Sequence, residues 1–231
     1  MKKVLITGSA GVIGRVLNAG LRGGYELTLA DIPDSDIRDY RICLKLLDGK
    51  DAVVHLAWNT QKENWQSPII DPENTLMFEN IYRAALEKKV RRVIMASSVH
   101  VEKYKTWNRD KYGLISPNRD AWPDSPYGAH KILMEKTGMI YADNGLEVVC
   151  IRFGGVCPLG EFWDDIPVVG LSYPDCVNLV KSCLEAKIPD NFLTIYGISN
   201  NALKIHDCLN PLGWKPSLDA EKFYKKFIRA T

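Results

Sequence analysis

Through residue 152 the chain alternates short apolar runs with amphipathic stretches, an order that reads as strand and helix in turn. The predicted strands fall at 3–7, 26–30, 52–56, 92–96 and 147–152, and "FLTIYG" at 192–197 adds a sixth at the end of the sheet. The segments "RICLKLLDG" (41–49), "LMFENIYRAALEKK" (76–89) and "DCVNLVKSCLEA" (175–186) carry helical spacing, with Phe78, Tyr82 and Leu86 forming a buried stripe. A further helix starts in "DSPYGAHKILMEK" (124–136), where Ser125 is a good N-cap and Pro126 suits the first helical position. Such alternation predicts right-handed β-α-β units. The expected fold class is α/β, a Rossmann-type doubly wound parallel sheet in one domain spanning 1–231.

Two stretches have no period. Residues 99–126 hold Trp107, Pro117, Trp122, Pro123 and Pro126, and residues 154–174 read "GGVCPLGEFWDDIPVVGLSYP". Long irregular segments in a compact domain are often functional. These two are expected to form a small C-terminal substrate lobe over the sheet.

Composition narrows the function classes. With 46% apolar and 25% charged residues among 231, the chain can bury a full core. Thirty basic residues against 28 acidic ones leave a formal charge of +2, which gives no electrostatic case for nucleic acid or an anionic membrane. Thr7, Gly8, Ser9, Gly11 and Gly14 interrupt the N-terminal apolar run too early for a signal peptide, and nothing approaches the roughly 18 apolar residues of a membrane span. The six cysteines form neither a C-x-x-C pair nor a disulfide framework, so a reduced, cytoplasmic protein is expected. His55 lies in a strand, and His100, His130 and His206 share no metal-like spacing; no metal site is assigned. The basic run "EKKVRR" at 87–92 reads as the solvated end of a helix. Small-molecule chemistry is what remains.

"VLITGSAGVIG" sets Gly8, Gly11 and Gly14 between a strand and a helix, the context a dinucleotide fingerprint requires. Gly8 permits the tight turn, Gly11 lets the backbone approach a pyrophosphate, and Gly14 allows close packing, while the helix N-terminus supplies N–H groups. Asp31 closes the second strand about 20 residues on, where a carboxylate accepts from ribose hydroxyls and repels a 2′-phosphate. NAD is therefore favoured over NADP, with Arg38 and Arg41 near enough to blur the preference. Asp31 as a mere turn cap is the alternative.

Tyr127 and Lys131 lie four apart and share a helix face. A phenol with a pKa near 10 serves as a general base at neutral pH only if positive charge stabilises the phenolate. Lys131 and an oxidised nicotinamide would supply that charge, and a serine at the end of the fourth strand, Ser97 or Ser98, would place the substrate oxygen. Trp58, Trp107 and Trp163 are candidates for a sugar pocket, or equally for core filling.

T-G-x-x-G-x-x-G, a serine after the fourth strand and Y-x-x-x-K together resemble the short-chain dehydrogenase/reductase superfamily in its extended, NAD-dependent epimerase/dehydratase branch. "SDIRDYRICLKLLDGKDAVVHLAW", "DPENTLMFENIYRAALEKKVRRVIMASS", "SPYGAHKILME", "LSYPDCVNLV" and "LGWKP" are most similar to the uronate dehydrogenase group. The resemblance implies Tyr127 as general base, Lys131 as its activator and a ribose ligand, and Ser98 as the hydroxyl that orients the substrate. It implies cofactor contacts from Gly8, Ser9, Gly11, Val12, Ile13, Gly14 and Asp31, with Asp36 and Ile37 near the adenine. Leu56, Ala57 and Trp58 would run along the cofactor, and Asn74 would steady the site. Thr60, His100 and Gly155 fall at substrate positions. Homodimerisation through 74–89 and 126–141 is a further implication.

The departures bear on the substrate. Where the group places an asparagine, a serine and a carboxylate-binding arginine, this chain has Val99, Gly155 and the acidic "EFWDD". A neutral aldose, or a sugar phosphate held by Lys103, Lys105 or Arg109, thus stands beside a uronate. The expected reaction is NAD-dependent oxidation at C1 to a lactone. A nucleotide-sugar epimerase or dehydratase with tightly held NAD is one alternative, disfavoured by the short region after the fifth strand. A non-catalytic NAD-binding sensor is the other.

Overall fold

The computed structural model describes residues 1–60 and 70–228. Six strands, β1 (Lys3–Thr7), β2 (Glu26–Ala30), β3 (Ala52–His55), β4 (Arg92–Ser98), β5 (Glu147–Phe153) and β6 (Phe192–Gly197), form one sheet in the order β2-β1-β3-β4-β5-β6. Every neighbouring pair is parallel, with Thr7 opposite both Ala30 and His55, and Ser98 opposite Phe153. All carboxyl ends therefore lie on one edge. The chain reverses direction across the sheet between β1 and β3, the switch point where open α/β sheets take their ligands.

Alternate residues explain the two layers. Val4, Ile6, Val54, Ile94, Val149 and Ile151 point to a face covered by α1 (Val12–Leu21) and by a late helix, Tyr173–Glu185, through Leu17, Leu21, Leu179, Val180 and Cys183. Leu5, Val53, Val93, Met95, Val148 and Cys150 point to the other. There α2 (Tyr40–Leu47), α3 (Pro72–Glu87) and a long helix, Pro126–Asp143, bring Leu47, Phe78, Ile81, Tyr82 and Met134. With both faces buried, the strands need apolar residues at successive positions, which is what the sequence offers.

The irregular segments hold more structure than their sequence suggests. Residues 99–126 contain two 3₁₀ turns, Val99–Val101 and Tyr104–Thr106, and a one-turn helix, α4 (Arg109–Tyr112), ahead of the long helix, α5. Residues 154–174 contain the short helix α6 (Ile166–Val169), then the start of Tyr173–Glu185, now α7. A third segment joins them: Ile115 N–H donates to Ile205 at 2.7 Å and Asp207 N–H to Ile115 at 2.9 Å. Val99, Tyr104, Ile115, Val169, Tyr196 and Ile198 form a small separate core under this lobe. The last helix, α8 (Ala220–Ile228), clamps it from outside by packing Ala220 and Tyr224 on Ile166 and Cys157. Lobe formation thus draws on residues beyond 99–126 and 154–174. Among the described residues no helix is long and apolar enough to cross a membrane.

Candidate active site

A cleft of about 990 Å³ runs along the carboxyl edge of the sheet. Its floor begins at the β1–α1 turn. Gly8 stands at φ +68°, and a Cβ there would come within 2.5 Å of Ala57 N; one on Gly14 would meet Gly8 O at 2.5 Å. Only glycine lets the turn, the segment after β3 and the helix approach so closely. Gly11 caps α1 without any side-chain hydrogen bond, and a Cβ on it would have only Gly8 O, at 3.3 Å, for a neighbour. The first N–H groups of α1 are thus left for an anion in the cleft. The cradle fits the pyrophosphate of a dinucleotide. Asp31, just beyond β2, lines the cleft while its Oδ2 accepts from Ala10 N–H at 2.7 Å, so the carboxylate also braces the turn.

The other end is set by α5. Ser125 Oγ accepts from Gly128 N–H at 3.2 Å and caps the helix. A Cβ on Gly128 would lie 2.0 Å from His100 O, so the first turn seats directly on the 3₁₀ turn after β4. That contact carries Tyr127 into the cleft beside Ser98, near enough for the serine hydroxyl to act on the phenol. One turn on, Lys131 Nζ donates to Ala96 O at 2.6 Å and sits 3.4 Å over the Trp58 ring, 5.5 Å from the Tyr127 ring centroid. Two turns on, buried Glu135 accepts from Ser97 Oγ at 2.5 Å and from Arg152 at 2.9 and 2.8 Å. Tyr127, Lys131 and Glu135 share one face of α5 and all reach into the end of β4 or its neighbours.

Electrostatics qualify the expected roles. Burial pushes the Tyr127 phenol up to about 12, the Ser98 hydrogen bond opposing and Asp124 adding to the rise. Burial also drives Lys131 well below its ordinary value, against the pull of Cys150 and Glu135. Within the protein alone, then, Lys131 serves Ala96 and Trp58 rather than turning Tyr127 into a base, and further positive charge is needed in the cleft. His100 Nδ1 pairs with Asp124 Oδ2 at 2.7 Å, and its ring stands 5.9 Å from that of Tyr127. His55 is pushed down to about 3 by burial and Lys131, with Nδ1 on Thr7 Oγ1 at 2.8 Å.

The cleft lining includes Gly8, Gly11, Val12, Ile13, Gly14, Asp31, Asp36, Ile37, Leu56, Ala57, Trp58, Thr60, Ser98, His100, Tyr127, Lys131 and Gly155. Two expected cofactor residues stand outside it. Ser9 gives its N–H to Ala30 O at 3.3 Å, and Asn74, 1% exposed, holds the Asn59 backbone from behind by bonds of 2.6 and 3.3 Å. Neither do Lys103, Lys105 and Arg109 line the cleft: Lys103 lies over Trp122, Lys105 over Tyr104, and Arg109 donates to Lys204 O. Trp163 lines it and Trp107 does not. Sequence reasoning missed Arg15, Tyr104, Phe153 and Val156 on the lining, and the Glu135–Arg152 pair behind it. The one available signal was a charge inside each apolar stretch, "ILMEK" and "VVCIRF".

A glycine cradle at the switch point of a parallel sheet, with a serine and a tyrosine–lysine pair across the cleft, defines a dinucleotide-dependent oxidoreductase class. The model of the NAD dependent epimerase/dehydratase family matches residues 4–160, and the chain belongs to that family. The L-arabinose 1-dehydrogenase (NAD(P)(+)) of Haloferax volcanii is 29% identical, matching 94% of this chain and 96% of its own. The uronate dehydrogenase of Pseudomonas putida is 30% identical, with coverage of 96% and 86%. The uronate dehydrogenase of Agrobacterium tumefaciens, solved in complex with NAD, superposes with a TM-score of 0.83 at 27% identity, covering all 100% of this chain and 90% of that one. The family is NAD-dependent, and the glycine cradle fits the pyrophosphate of that dinucleotide.

Proposed function

We propose that the protein is an NAD-dependent dehydrogenase that oxidises a sugar at its anomeric carbon to a lactone. The observation that carries this is the convergence of Ser98, Tyr127 and Lys131 on the lining of the dinucleotide cleft. Relatives of nearly equal extent named for arabinose and uronate oxidation support it.

Bound NAD supplies the hydride acceptor for C1 and, in its oxidised form, a positive charge. The protein's own residues do the rest. Gly8, Gly11 and the α1 N-terminus would hold the pyrophosphate, and Asp31 would accept from the adenosine ribose hydroxyls. With substrate bound, Ser98 turns its one hydroxyl proton to the anomeric oxygen and so orients the sugar, and the Tyr127 phenolate takes the substrate's hydroxyl proton to become a phenol. Before that transfer Lys131 and the positive charge of the oxidised nicotinamide would together stabilise the phenolate, and as a ribose ligand Lys131 would tie the base to the cofactor. Trp58 walls the pocket and excludes water. Asn74 keeps the Asn59 backbone, and with it the wall after β3, in place.

The reaction makes one lactone per reduced nicotinamide. Trapping the product with hydroxylamine as a hydroxamate, in equal amount to the nicotinamide reduced, is the expected result; nicotinamide reduction without a lactone would refute oxidation at C1.

A further inference from the structure

The sugar end of the cleft carries Ser98, His100, Tyr104, Tyr127, Trp163 and Asp165. Its rings form a path: His100 lies 5.9 Å from Tyr127 and 5.5 Å from Tyr104, and the Tyr104 hydroxyl donates to Asp165 Oδ2 at 2.9 Å. Tyr104 is 3% exposed, and burial with the Asp165 charge pushes its phenol above the ordinary value, so it stays a donor that fixes the carboxylate. Asp165 opens α6 without capping it by a side-chain hydrogen bond. Among the described residues Oδ1 has no hydrogen-bond partner, so one oxygen of this lining carboxylate is anchored and the other is unclaimed.

Two of the cations on the lining, Arg38 and Lys131, are held by partners, and a third, Arg15, lies at the far end. Arg15 stands on the first turn of α1, at the dinucleotide end. Arg38 pairs with Asp36 at 2.7 Å and Glu73 at 2.9 Å, and Lys131 donates to Ala96 O. Adjacent Asp164 is exposed and outside the lining, so the acidic character of "EFWDD" reaches the cleft through Asp165.

We infer that Asp165 is a specificity-determining residue, whose carboxylate accepts sugar hydroxyls and repels an anionic substituent, making a neutral aldose the preferred substrate class over a uronate or sugar phosphate. This rests on the dehydrogenase reading above. A hydroxyl donor gains a charge-assisted bond there, whereas a carboxylate in the same place faces like charge in a partly desolvated pocket.

The test is a matched set, galactose with galacturonate and glucose with glucuronate, each assayed with NAD for kcat/KM in the wild type and in Asp165→Asn. The wild type should favour the neutral member by about tenfold or more. Asp165→Asn should raise KM for the aldose and narrow or reverse the ratio, with NAD affinity unchanged. Tyr104→Phe, which releases the anchor and leaves the charge, should raise KM for the aldose without improving the uronate. A wild type that prefers uronates, or a ratio that Asp165→Asn does not move, overturns the inference and leaves the dehydrogenase reading standing. No turnover with any member of these pairs, nor with arabinose or a sugar phosphate, removes that reading, and the inference with it.

Discussion

Tyr127 has the residue type and place of a base but not, within the protein alone, the acidity. Its phenol sits near 12 because burial outweighs the Ser98 hydrogen bond, so the protonated form holds at neutral pH. Since oxidation needs the deprotonated form, kcat/KM for sugar should climb with pH from neutrality, about tenfold per unit while the phenol titrates. A pH–rate profile of the free enzyme checks the sign: a fall toward alkaline pH would contradict a phenol base. The motif was legible in the sequence; the acidity was not, because it depends on how deeply the first turn of α5 is buried and on Lys131 bonding Ala96 O. Asp31 and Asn74 show the same limit. The type and spacing of Asp31 announced a ribose ligand, while its bond to Ala10 N–H appears only once the turn is folded. Asn74, a site-steadying residue by resemblance, bonds the Asn59 backbone, a partner that helical spacing does not name.

At the scale of the element, α5 is fixed from both ends. Gly128 allows the helix start to meet His100 O, and Glu135 with Arg152 ties its middle to β5. Gly128→Ala places a Cβ where no space exists, so the first turn must retreat. Expected are a loss of kcat of about 100-fold or more, because an ångström of misplacement costs that much, and a lowered Tm by calorimetry. Unchanged kcat would mean that seating on His100 does not position Tyr127. Glu135→Gln leaves the Arg152 guanidinium, itself buried, without its counter-charge and should cost about 3–5 kcal/mol in urea unfolding. Strands and long helices were readable because each face of the sheet is buried and period speaks directly to burial. The 3₁₀ turns of 99–126 and helix α6 were not: they are set by contacts to Ile205, Asp207 and Tyr196, distant in sequence. Nor was the docking of Ala220 and Tyr224 on Ile166.

For the whole molecule, buried histidines set the acid limit. His55 and His206 are pushed down to about 3 and His130 to about 4, in each case chiefly by burial. Their unfolded value is near 6.5, so below it the unfolded chain binds protons that the folded chain refuses. Stability is fully present above about pH 6.5 and should fall as pH drops toward the folded values, by about 1.4 kcal/mol per unit for each fully buried ring. Urea midpoints at pH 7 and pH 5 test this; equal midpoints would contradict it. We propose that the apolar residues α5 leaves exposed, Leu133, Met139 and Ile140 at 41%, 42% and 64%, meet a second copy of the chain. Ile140→Asp is expected to yield monomers by light scattering, and a wild type that is already monomeric would end that expectation. The central claim is that these parts make a sugar dehydrogenase with Tyr127 as its base. The most direct measurement is the rate of reduced-nicotinamide formation from NAD across neutral aldoses, uronates and sugar phosphates, in the wild type and in Tyr127→Phe. The account predicts turnover of at least one sugar, lowered about 100-fold or more in the variant while NAD still binds; turnover that survives in Tyr127→Phe, or NAD held with no sugar oxidised, would contradict it.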